Sequence, residues 1–87
     1  MSGRYRVQVK RSVQKDIARL HPTVAKRIGD AIKALADDPR PDGVKKGKGN
    51  VDWYRIRVGD YRVIYTIADD RLLVTVIAAG ARGGIYD

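Results

Sequence analysis

The chain has 87 residues, of which 44% are hydrophobic, and 18 Lys and Arg against 10 Asp and Glu give a net charge of +8. That length supports one small domain over residues 1–87, burying ~60–65% of its unfolded surface, which excludes deep internal cavities and favours an open face or shallow groove as a site. The basic balance favours polyanionic partners, namely nucleic acid, a ribosome or an acidic protein, and the absence of cysteine excludes disulfides, thiolate catalysis and most zinc sites.

In chain order, YRVQVK (5–10) alternates with Tyr5, Val7 and Val9 on one face, the pattern of a half-buried strand. Ser12 is the expected cap of a first helix, with Lys15 where a capping-box Glu would stand. Val13, Ile17 and Leu20 give that helix its apolar spacing, and His21-Pro22 ends it. Pro22 opens a second helix carrying Val24, Ile28, Ile32 and Leu35, which Asp37-Asp38-Pro39 stops. Residues 37–52 contain three glycines and two prolines without periodicity and are expected to be a loop.

From residue 53 the period changes to two. Tyr54, Ile56 and Val58 alternate with Trp53, Arg55 and Arg57, and Gly59-Asp60 makes a short turn with Gly supplying positive φ. Residues 61–68 form the next strand, Asp69-Asp70 a second two-residue turn, and 71–79 an apolar strand expected inside the sheet, ended by Gly80 before an exposed tail. The predicted fold is α+β in the order β-α-α-β-β-β. A helical hairpin packs on a mainly antiparallel four-stranded sheet, and the first strand pairs with the last. No apolar run approaches the ~18 residues of a membrane span and no signal-peptide core is present, so a cytoplasmic protein without a membrane partner is expected.

Alternation places Arg55 and Arg57 on the face of Trp53, with Arg62 on the adjacent strand. Arg40, Lys45, Lys46 and Lys48 precede them, against Asp42 and Asp52. Alternating charge also keeps a sheet edge soluble, but three arginines rather than lysines favour bidentate phosphate contact. Lys45, Lys46 and Lys48 are expected to bind RNA or the ribosome, and Trp53 to stack on a base or be buried against the helices. His21, the only histidine, reads as a turn residue, and the acids show no metal-ligand pattern, so neither a metal nor another cofactor is expected. The Gly-rich KKGKGN stretch lacks the strand–GxxxxGK[ST]–helix context of a nucleotide loop. Cleavage of RNA by its own 2′-OH is one reaction for which Arg, Lys and Tyr suffice, because its main demand is charge stabilisation.

The meander WYRIRVGDYRVIYTIADDRLLVTVIAAGAR, followed by GGIYD, resembles the RelE/ParE toxin superfamily of type II toxin–antitoxin systems. GDYRVIY (59–65) is the most recognisable segment, and the element order covers essentially the whole chain. The resemblance implies a toxin neutralised by a RelB-like antitoxin that wraps around it, with operator DNA bound through the antitoxin. The RelE-like branch implies a metal-independent, ribosome-dependent endoribonuclease that cuts mRNA in the A site. On that pattern the catalytic residues are Arg55 and Arg57 on one strand, Arg62 on the next, and then Arg82 and Tyr86. Tyr86 would be the base and Arg82 the group at the leaving oxygen. Arg55 and Arg57 stand where some relatives have Lys, and Ala81 where many have a larger polar residue. The alternatives are a ParE-like inhibitor of DNA gyrase and a non-catalytic RNA-binding module.

Overall fold

The alternation of residues 5–10 becomes the edge strand β1 (Arg6–Val9), whose Val7 and Val9 turn toward two helices. In this computed structural model, residues 4–47 and 52–81 are described. Helices α1 (Arg11–Ala18) and α2 (Pro22–Ala34) form the hairpin, and strands β2 (Lys45–Lys46), β3 (Tyr54–Val58), β4 (Tyr61–Ala68) and β5 (Leu73–Ala81) complete the sheet. Sheet order is β1-β5-β4-β3-β2. β1 runs parallel to β5, and every other pair is antiparallel. The apolar last strand therefore lies inside the sheet beside the first, as its composition predicts. The sheet has five strands rather than four, because Lys45 and Lys46 pair with Arg55 and Tyr54. A two-residue edge strand owes its existence to its partner, so no local period announces it.

Helix boundaries shift by a few residues. Lys10 rather than Ser12 caps α1, since its carbonyl already accepts the Val13 and Gln14 amides at 3.0 Å. α1 stops at Ala18, before His21-Pro22, and His21 caps α2 by accepting the Thr23 amide on Nδ1 at 3.2 Å. Pro22 then sits at the first helical position, where its missing N–H costs nothing.

The core lies between helices and sheet. Val13, Ile28, Ile32 and Leu35 meet Ile56, Val63, Tyr65, Val74 and Val76 across it. Gly59 takes φ 61 in the two-residue turn from β3 to β4, the Gly-first geometry that matches strand twist. The next turn is longer than two residues. A 3₁₀ turn at Asp69–Arg71 leads to Leu72 in the left-handed region at φ 50, so β5 starts at Leu73. β5 also runs through Gly80 to Ala81 instead of ending at the glycine. A shallow apolar groove of about 390 Å³ beside β1 is lined by Val7, Val9, Ile17, Gly29 and Ile32, among others. Among the described residues no helix is long and apolar enough to cross a membrane.

Candidate nucleic-acid interface

Pairing register fixes which side chains share the sheet face away from the helices. Cross-strand partners project to the same side, so Lys45, Arg55, Ile64 and Ala78 form one row and Arg57, Arg62 and Gly80 the next. Arg57 and Arg62 are direct partners, with Cβ atoms about 5 Å apart in such pairs. Like charges placed so are unfavourable, and a shared anion relieves them. Gly80 adds no side chain beside Arg62. Ile64 is fully buried on this face, outside the helix-facing core cluster.

None of the five strands contains an acidic residue, so the charged side chains that the strands place on this face are all basic. Arg57 is exposed, while Arg55 and Arg62 are half-buried.

A β-bulge sets part of this arrangement. Tyr65 pairs with Val76 and Ile64 with Ala78, leaving Ile77 as the extra residue. Downstream of it the alternation inverts, so Ala79 faces the core and Gly80 the arginine row.

The structure divides the remaining candidates. Lys45 joins Arg55, but Lys46 pairs with Tyr54 on the helix side and forms a 3.7 Å ion pair with Asp52. Arg40 is not part of the cationic face. Its guanidinium grips Asp69 through two contacts of 3.2 and 2.9 Å and lies 5.2 Å over the Tyr54 ring. Trp53 is half-buried and lies outside the helix-facing core cluster. Its indole lies against Gly47, where any Cβ would overlap it. Lys48, Arg82 and Tyr86 fall outside the described residues. Among the described residues no group of three or more His, Cys, Asp or Glu is placed to hold a metal ion.

Perturbed groups collect at the opposite end of the sheet, around Arg40. Hydrogen bonds from Arg40 and then Tyr5 hold the Asp69 carboxyl below its ordinary value. The bond to Asp69 in turn raises the Tyr5 phenol. Burial pushes Tyr65 up to about 12. These groups lock the loop after α2 to the sheet rather than serve the arginines.

Three further polar residues, not singled out by the sequence pattern, share the open face. Gln8, Thr75 and Thr66 are successive cross-strand partners on β1, β5 and β4. The alternation of Gln8 with Val7 and Val9 already carried that signal.

Proteins of known structure share this architecture. A chain in the crystal structure of the archaeal RelE–RelB complex from Pyrococcus horikoshii superposes with a TM-score of 0.81 at 31% identity, covering 94% of this chain and 99% of that one. A chain of the intact Escherichia coli RelBE toxin–antitoxin complex gives 0.76 at 25% identity, covering 88% and 95%. A candidate toxin of Methanocaldococcus jannaschii, RelE1, is 29% identical over 86 residues, 95% of this chain and 96% of its own. Residues 7–86 match the family described as the ParE toxin of the type II toxin–antitoxin system parDE. With RelE-named relatives and a ParE-named family agreeing over nearly its whole length, the chain belongs to the RelE/ParE superfamily of type II toxins.

Proposed function

We propose that this chain, as a single domain over residues 1–87, is a cytoplasmic, ribosome-dependent, metal-independent endoribonuclease that cuts mRNA in the A site. The observation that carries this reading is the direct pairing of Arg57 with Arg62 on a sheet face whose strands hold no carboxylate. The scissile phosphate sits among Arg55, Arg57 and Arg62, which offset the negative charge that grows as it becomes five-coordinate. The 2′-oxygen forms a bond to phosphorus, the bond to the 5′-oxygen breaks, and the product is a 2′,3′-cyclic phosphate or its opened 3′-phosphate. Tyr86 accepts the 2′-OH proton, Arg82 stabilises the leaving 5′-oxygen, which takes its proton from water, and a further water opens the cyclic phosphate where the 3′-phosphate is the product. Lys45 extends the cationic row toward the sheet edge. So limited a set of acids and bases depends on the ribosome to position the mRNA, and positioning alone is worth ~7–11 kcal/mol.

The partner that silences this activity is a RelB-like antitoxin, with operator DNA bound through it. Its acidic part covers the arginine rows, and the apolar groove beside β1 gives it a foothold away from them. A complex that cuts mRNA as fast as free toxin excludes this mode of inhibition.

The test of the nuclease is single-turnover cleavage of ribosome-bound mRNA. Tyr86→Phe should slow it by roughly 10²–10⁴ and Arg82→Ala by about 10²–10³, with little change in ribosome affinity for Tyr86→Phe. Wild-type rates in both variants, in cells that still stop growing, would favour the second reading. That reading is ParE-like inhibition of DNA gyrase, suggested by the ParE name of the matching family. A non-catalytic RNA-binding module would bind ribosomes and leave mRNA intact.

A further inference from the structure

We propose that Gln8, Thr75 and Thr66 form a base-reading row on the open sheet face. It takes a base of the RNA strand whose phosphate the arginines hold, and adenine is the base it fits. The inference rests on the RNA-cleavage reading and adds to it the path of the substrate.

The row lies next to the cations. Thr66 is two residues along β4 from Ile64, which pairs with Arg55, and Gln8 lies two strands beyond Thr66. With about 3.4 Å per residue and about 4.8 Å per strand, the row begins roughly 7 Å from the Arg55 row and extends about 10 Å sideways. A strand of RNA leaving Arg55 and Arg57 crosses it before reaching β1. Past Gln8, Arg6 stands on the same exposed face of β1, paired with Leu73. The face thus reads cation, neutral hydrogen-bonding row, cation, which is the order phosphate, base, phosphate.

The row is also arranged for recognition. Gln8 Nε2 donates to Thr75 Oγ1 at 3.1 Å, which orients an exposed amide. One amide hydrogen is used there. The other hydrogen and Oε1 remain for a base, and that donor–acceptor pair matches the N6 and N7 edge of adenine. Single-stranded RNA exposes this edge, whereas the deep, narrow groove of an RNA duplex hides it. If the row were only a sheet contact, the Gln8–Thr75 bond would contribute to folding and base identity would not matter.

The experiment uses the full chain on four ribosome-bound mRNAs that differ only in one base, scanned through the three positions on each side of the cut. Wild type should favour adenine at one of these positions by roughly ten-fold, and Gln8→Ala should bring the adenine mRNA down toward the other three. Gln8→Glu replaces the donor with an acceptor, so it should slow every mRNA and shift the preference toward cytosine, whose N4 amine donates. In a second arm, fluorescence anisotropy with A-rich and U-rich single-stranded oligonucleotides reads binding without cleavage. Wild type should favour the A-rich probe, and Gln8→Ala should lose that preference with its melting temperature within a few degrees of wild type. Cleavage whose base preference survives Gln8→Ala overturns the row and leaves the nuclease standing. No cleavage by wild type, together with an adenine preference that Gln8→Ala removes, overturns the nuclease and leaves the row. Equal binding of both probes by wild type overturns the row.

Discussion

Tyr65 is fully buried in β4, yet its hydroxyl donates to the Pro39 carbonyl at 2.7 Å and fastens the loop after α2 to the sheet. The ring stacks on Tyr54 with centroids 5.9 Å apart. Tyr65→Phe keeps the ring and orphans a buried acceptor, so it should destabilise the fold by about 1–3 kcal/mol in a denaturant titration. The titration of the phenol gives this residue a pH signature. Burial raises its folded pKa from 10.0 to about 12, so its contribution is full below pH 10 and is lost as pH rises toward 12. The stability gap between wild type and Tyr65→Phe should close over that window, and a gap independent of pH would contradict the assignment. Leu72 is a different case, an exposed leucine held at φ 50. Left-handed backbone is costly for a branched side chain and tolerated by Asn. Leu72→Asn should therefore raise stability by roughly 0.5–1 kcal/mol, and a loss would show that Leu72 earns its place through contacts.

The strands of the meander were legible because each alternates on its own, and both helices because their apolar residues recur at helical spacing. What stayed hidden depends on partners far along the chain. β2 exists through pairing with β3, and the bulge at Ile77 is visible only once β4 and β5 are in register. The bulge matters for the site, since it sends Gly80 rather than Ala79 toward Arg62. Arg55, Arg57 and Arg62 were legible as a set because two-residue alternation and a tight turn suffice to place them. Arg40 was not separable from them by local sequence, because Asp69, its partner, lies 29 residues away. That partner joins three elements at one end of the sheet, the loop after α2, β1 through Tyr5, and the turn before β5. The lowered pKa of Asp69 means that its stabilising effect is present above the ordinary carboxylate range and fades as pH falls through it. Asp69→Asn should melt below wild type at neutral pH and approach it under acid conditions. An Asn variant that matches wild type at neutral pH would show that the latch adds nothing to stability.

At the scale of the whole molecule, the cations behind a net charge of +8 divide by place, those on the sheet face away from the helices and those elsewhere. The structure makes that division in a form that salt can read. Each phosphate contact releases condensed counterions, so the logarithm of affinity falls with the logarithm of salt at a slope set by the number of contacts. Arg55 and Arg57 belong to the open face, and replacing either by Ala should lower the slope of ribosome or RNA binding by about one. Arg40 carries the same formal charge, but it is committed to Asp69 through two contacts and to the Tyr54 ring. Arg40→Ala should therefore leave the slope close to wild type and lower the melting temperature. Total charge cannot account for such a difference, because all three substitutions remove one positive charge. Equal slopes for Arg55→Ala, Arg57→Ala and Arg40→Ala would mean that the protein binds through diffuse charge, and the arginine rows would lose their claim to the phosphate. Reduced slopes for the first two alone would place RNA on the open face of the sheet.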